Sequence, residues 1–136
     1  MSKYFIFVCL LGALTLKAKS QDSLSNKIVG KWEICYSLDT LEKACARPFN
    51  SYIFNSNGTC QNGDVIIMGE KIPVKGYWKI ENGSIKITYD KHPNFSYPSQ
   101  TLPDITFLTN ELFYYKVMST DEAPGRWIFF SLRKTE

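Results

Sequence analysis

The sequence of 136 residues has a single histidine, His92, and no concentrated run of one charge. The lone histidine narrows catalysis: a Ser/His or Cys/His pair needs a positioned base, and His92 stands in a proline-bearing loop with no nucleophile beside it. Paired carboxylates offer no substitute, because Asp90, Asp104 and Glu111 are scattered near strand ends with nothing to mark them as a pair. We therefore expect no enzymatic activity and no cofactor. The cysteines do not form a paired cluster and His92 is far from them in sequence, so no metal site is expected either.

Long hydrophobic runs are also missing. The longest, Phe5 to Leu16, has about twelve residues, short of the roughly 20 that a spanning helix needs. Lys3 precedes it and Ala18-Lys19-Ser20 follows it as a small-x-small site, so residues 1–20 read as a signal peptide cleaved near Ser20. Bulky Ile6-Phe7-Val8 before Cys9 argues against lipid attachment. We expect a secreted or periplasmic protein with no membrane span. Three of the 16 basic residues, Lys3, Lys17 and Lys19, lie in the leader. The remainder then has as many basic as acidic residues and no Lys/Arg cluster, which excludes a phosphate backbone or an anionic membrane as an expected partner. Residues 21–136 suffice for one domain with one core.

In an oxidising compartment the three remaining cysteines allow one intramolecular pair. Cys35 lies late in the first strand and Cys45 in the connection after it, so that loop closes with little reach. Cys60 begins after the next tight turn, at the far end of a strand, well away from both. The spacing predicts a Cys35–Cys45 disulfide and a free Cys60.

What the sequence has in plenty is period-two alternation punctuated by turns. Gly30, Trp32, Ile34 and Tyr36 alternate with Lys31, Glu33 and Ser37, the pattern of a half-buried strand over Ile28 to Leu38. Further strands follow over Ser51 to Ser56, Thr59 to Met68, Val74 to Ile80, Ser84 to Tyr89, Ile105 to Leu108, Glu111 to Met118 and Arg126 to Arg133. Asn57-Gly58 and Asn82-Gly83 mark type I′ hairpins, and Thr109-Asn110 a third tight turn. The connections Asp39–Asn50, Gly69–Pro73, Asp90–Pro103 and Ser119–Gly125 are longer. In a meander successive turns fall at opposite ends, which predicts a floor of tight turns and a mouth of long loops. A turn or two of helix at Ser23 to Lys27 would cap the floor. The expected fold is all-β, an eight-stranded antiparallel up-and-down barrel with no free edge.

Gly30-Lys31-Trp32 on the first strand resembles the Gly-x-Trp signature of lipocalins, and Arg133 on the last is placed like the family arginine that stacks over that tryptophan. The series Ile28-Val29-Gly30-Lys31-Trp32, Tyr52 to Thr59 and Gly76-Tyr77-Trp78-Lys79-Ile80 with Asn82-Gly83 is similar to small lipocalin-like domains of secreted bacterial proteins, over essentially all of residues 21–136. The resemblance implies a lipocalin-like barrel in which Gly30, Trp32 and Arg133 are structural. A guanidinium over the indole would help to join first and last strands.

Strand parity points Ile34, Tyr36, Tyr52, Phe54, Trp78, Ile87, Phe107 and Phe129 inward. If their rings leave space, they line a pocket for a small apolar molecule; if they interdigitate, they are core. Phe49, Phe95 and Tyr97, in loops stiffened by Pro93 and Pro98, are candidates for a lid or a protein-binding rim. Two functions follow: a monomeric carrier of a small hydrophobic ligand, or a filled barrel whose open-end loops bind a protein, as an inhibitor or envelope component. An internal void separates the two.

Overall fold

The computed structural model describes residues 23–41, 45, 47–120 and 125–135, so the leader expected at residues 1–20 lies outside the described residues. Nine antiparallel strands form one curled sheet: β1 (Gly30–Leu38), β2 (Asn50–Phe54), β3 (Thr59–Ile67), β4 (Glu70–Glu81), β5 (Ser84–Tyr89), β6 (Gln100–Leu102), β7 (Thr106–Thr109), β8 (Leu112–Met118) and β9 (Trp127–Lys134). Their order is β6-β5-β4-β3-β2-β1-β9-β8-β7, a half-barrel that does not close. The expected eight strands are all present; the ninth is β6. Eight antiparallel pairings separate β6 from β7, so the two run in the same direction, one at each edge of the sheet. The interruption at Pro103-Asp104-Ile105 divides the partners: β6 pairs with β5, whereas β7 pairs with β8. Pro103 has no N–H to donate, and Asp104 takes a positive φ of 45°, so a continuous ladder cannot run through them. The expectation of an edgeless, closed barrel is corrected accordingly.

The turns explain the rest of the meander. Asn82 and Gly83 both have positive φ, as a type I′ hairpin requires, whereas at Asn57-Gly58 only Gly58 does. There the Asn57 side-chain oxygen accepts from the Thr59 N–H at 3.0 Å and Gly58 N–H donates to Asn55 carbonyl at 3.1 Å. The segment expected as a long connection at Gly69–Pro73 is strand: Met68 and Gly69, both at positive φ, make a tight turn, and β4 begins at Glu70. Pro73 is accommodated because the β3–β4 register shifts between Gln61 and Asp64. The mouth therefore carries three long loops and a projecting hairpin.

The floor is packed solid. A short helix over residues 23–28 places Ile28 in the core, where its carbonyl accepts from Trp32 Nε1 at 2.7 Å. Trp32 meets Phe113 and Phe107 edge-on, with ring centroids 4.7 and 6.2 Å apart, and is fully buried. The cation over its ring is Lys134, at 5.4 Å, not Arg133. Register decides this: Trp32 pairs with Lys134, while Arg133 sits opposite Glu33 and forms an ion pair with it at 3.8 Å.

Cys35 and Cys45 form the expected disulfide, with Cα atoms 5.5 Å apart, and Cys60 is a buried free thiol. Burial and the neighbouring Asp90 carboxylate push its pKa up to about 11, so it is protonated and unreactive in the folded state. A Cys60-linked dimer would require this strand to open. At the mouth, Asp39 pairs with Arg126, and Asp39 N–H donates to Trp127 carbonyl, fastening the end of β1 to the start of β9. The hydrogen bond from Arg126 holds the Asp39 carboxyl below its usual range. Among the described residues no helix is long and apolar enough to cross a membrane.

Candidate functional site

The residues expected to line a pocket divide by height in the barrel. Ile34, Phe54, Trp78 and Ile87 are buried in the core, where Phe54 packs edge-on against Trp78 at 5.3 Å. Phe107 packs against the same core at the floor, beside Trp32. These rings interdigitate, so the lower barrel is filled rather than hollow. Two expected positions face elsewhere. Tyr36 is 63% exposed at the mouth, in an aromatic cluster with Phe49 and Phe130. On β9 it is Phe130 and Leu132 that pack inward, so Phe129 lies on the outer face against Tyr114. On β9 the inward parity is thus one residue out of phase with the expected one, whereas Tyr36 keeps the parity of Trp32 and Ile34 but lies at the open end. Tyr52 is buried, and its hydroxyl donates at 3.2 Å to Gln100, a residue that lines an open space.

That space is a cleft of about 330 Å³ at the mouth, between the β3–β4 hairpin and loop 90–99. Val65, Val74, Tyr89, Tyr97 and Pro98 give it an apolar wall; Asn50, Asn62, Asp64, Ser99 and Gln100 give it polar atoms. Sequence periodicity puts most of these in place. Asn62 shares the inward face of β3 with Cys60, and Tyr89 shares that of β5 with Ile85 and Ile87. The bulge between Gln61 and Asp64 then turns the chain at Gly63, whose φ is 59°. A Cβ there would collide with the Asn50 side-chain amide, so glycine is what lets Asn50 lie against β3.

The polar side chains form one directed chain of hydrogen bonds. Asn50 Oδ1 accepts from Ser51 N–H at 2.8 Å, and its Nδ2 donates to Asn62 Oδ1 at 2.7 Å. Asn62 Nδ2 donates to the Tyr89 hydroxyl at 2.8 Å, which in turn donates to Gln100 Oε1 at 2.6 Å. Tyr52 donates to the same Gln100 oxygen at 3.2 Å. Burial raises the pKa of Tyr52, pushes that of Tyr89 up to about 12, and raises that of Tyr115 nearby. All three phenols therefore keep their protons at physiological pH, and Tyr52 and Tyr89 use theirs as donors to Gln100.

The rim is aromatic. Tyr97, 44% exposed, meets Tyr89 at 5.9 Å and Phe95 at 5.5 Å, and Phe95 stacks on His92 at 4.4 Å. His92 Nδ1 accepts from Asn94 N–H at 3.1 Å, which commits the histidine to holding the loop. Of the three loop aromatics picked out in the sequence, Tyr97 lines the cleft, Phe95 supports it, and Phe49 belongs to the separate cluster with Tyr36. Sequence reasoning missed the amides. Asn50, Asn62 and Gln100 stand on three different strands and converge only through register; the inward parity of Asn62 was the one signal available.

No family model and no curated protein matches this chain. A solved structure of a redesigned beta barrel is similar at 17% identity with a TM-score of 0.41, covering 82% of this chain and 95% of that one.

Proposed function

We propose that this chain is a small secreted or periplasmic binding protein of lipocalin-like architecture that holds a compact small molecule in its mouth cleft. One observation carries the reading: an apolar-walled cleft, at the lower end of the roughly 300–1,000 Å³ typical of small-molecule sites, sits above a filled floor and ends on a pre-oriented polar network. The filled core argues for a ligand seated across the mouth, not one swallowed into the barrel. The Cys35–Cys45 disulfide fits an oxidising compartment.

The test is a fluorescence titration with N-phenyl-1-naphthylamine, an uncharged probe that brightens in apolar surroundings. Wild type should bind it saturably at one site, and Ser99→Trp, which places an indole over the cleft from an exposed loop position, should weaken binding at least tenfold. Absence of saturable binding, or binding indifferent to Ser99→Trp, contradicts the proposal.

A second reading, the protein-interaction module, is favoured by the β3–β4 hairpin. β2 pairs with β3 only as far as Asn62, and β5 with β4 only as far as Gly76, so the tip extends beyond both neighbours. It displays Ile66 at 68% and Met68 at 99% exposure. On this reading Met68→Lys abolishes partner binding and leaves probe binding intact.

A further inference from the structure

The network in the cleft leaves the Gln100 amide nitrogen without a partner among the described residues, and its surroundings specify what it can donate to. Tyr89 already accepts from Asn62, so its own proton is directed to Gln100 Oε1, and Tyr52 adds a second phenol proton to that oxygen. With two donors on Oε1, the amide cannot turn over without setting its N–H groups against both hydroxyls. Among the described residues Gln100 Nε2 donates to nothing, whereas both polar atoms of the Asn50 and Asn62 amides are engaged. A preoriented amide donor therefore stands uncommitted in a cleft whose other wall is Val65, Val74 and Tyr97.

Charge narrows the partner further. Among the described residues no Lys or Arg lines the cleft, and its one carboxylate is Asp64. An anionic head group entering here would lose water without gaining a counter-ion, and would face a carboxylate. The volume of about 330 Å³ suits a compact body and not a long acyl chain. The exposed Tyr97 ring beside Tyr89 offers a flat surface on which a ring can lie.

We infer that the cleft selects an uncharged ring compound bearing a carbonyl or hydroxyl oxygen that accepts from Gln100 Nε2, an assignment of ligand class that rests on the small-molecule reading above. The network makes Gln100 a specificity residue. Fatty acids and other carboxylates are rejected, and uncharged aromatic or alicyclic ketones and alcohols are taken.

The experiment compares three naphthalenes of one shape: 2-acetylnaphthalene, 2-naphthoate, and 2-isopropenylnaphthalene, in which a methylene replaces the ketone oxygen. Binding is followed by amide chemical shifts of Val65, Val74, Tyr97 and Ser99 in the full-length folded protein. Wild type should bind the ketone about tenfold or more tightly than the carboxylate, and about tenfold more tightly than the hydrocarbon despite the latter's greater apolarity. Gln100→Glu keeps an acceptor for both phenols and removes the donor, so it should lose about tenfold for the ketone. The hydrocarbon comparison on wild type decides the matter even if that variant fails to fold. Equal or tighter binding of naphthoate or of the hydrocarbon overturns the class assignment while leaving a small-molecule site in place. No shift at these four amides with any of the three compounds, or with N-phenyl-1-naphthylamine, overturns the site itself.

Discussion

Gly76 lies at the crossing of fold and site, and replacing it by alanine tests the packing most sharply. It is buried in β4, opposite Cys60 on one side and Tyr89 on the other. A Cβ at this position would fall inside the van der Waals radius of the Thr88 carbonyl oxygen, 2.9 Å from Tyr89 Cα and 3.0 Å from the Thr88 carbonyl carbon. All three are backbone atoms of the hydrogen-bonded neighbour, so none can swing aside as a flexible side chain would. Overpacking of this kind costs about 1–3 kcal/mol, and with only backbone to move we expect the upper end. For a chain of this length each kcal/mol shifts Tm by about 3–5 °C, which gives a fall of about 10 °C. Gly69→Ala is the control: a Cβ there meets nothing within 4 Å, and only its φ of +82° opposes the change, at about 1–2 kcal/mol. Thermal unfolding followed by circular dichroism reads both variants. A Gly76→Ala protein that melts within about 3 °C of wild type, or higher than Gly69→Ala, refutes the close approach of β4 to β5. Because Gly76 pairs with Tyr89, the surviving fold of Gly76→Ala should also bind N-phenyl-1-naphthylamine more weakly.

Alkali should destabilise the protein in a defined window. Cys60 and Tyr89 are held protonated, with pKa values near 11 and 12 against ordinary values of 9.0 and 10.0, so the unfolded chain releases these protons first. Their stabilisation is complete below about pH 9 and is lost as pH rises to 12, with a slope of about 1.4 kcal/mol per pH unit for each group titrating; urea midpoints that stay flat from pH 9 to 11 contradict this. Native protein should show no rapidly reacting thiol toward a disulfide reagent and one after denaturation, whereas a fast-reacting native thiol would place Cys60 at the surface. Replacing both Cys35 and Cys45 by serine, which opens a loop of separation 10, should cost about 2–3 kcal/mol in urea unfolding; a loss below ~1 kcal/mol would mean the loop is held by other contacts. Lys134→Gln should lower Tm more than Arg133→Gln, because Lys134 covers Trp32 while Arg133 makes only a long, half-exposed ion pair; the reverse order would return the arginine to the indole.

Much of this architecture is written locally. Period-two alternation marked β1, β4 and β5, the Asn-Gly dipeptides marked two hairpins, and the reach of the β1–β2 loop marked the Cys35–Cys45 bridge. What escaped is set by partners distant in sequence. β6 has three residues after a proline-bearing stretch, too few for a period to register, and is recognised only because Leu102 is buried against Ile85. Met68-Gly69 carries no customary turn signal, since a methionine at φ 52° is tolerated only where the hairpin on either side fixes it. The inward residues of β9 are not legible locally, because four consecutive apolar side chains, Trp127 to Phe130, hide the alternation; pairing with β1 and β8 resolves it. The cleft shows the same division. Its tyrosines are visible in the sequence, Tyr89 as a strand residue and Tyr97 as a loop aromatic, whereas the convergence of Asn50, Asn62 and Gln100 depends on a bulge and on strand registers that no local pattern encodes.

The most direct test of the central claim, a ligand carried in the mouth cleft, is native mass spectrometry of the protein isolated from the cells that make it, before and after denaturing delipidation and refolding. The account predicts an added mass of a compact, uncharged molecule that is lost on denaturation, rebinds on refolding, and is absent from Ser99→Trp. A bare mass in every wild-type sample, or an added mass carried equally by Ser99→Trp, would contradict it.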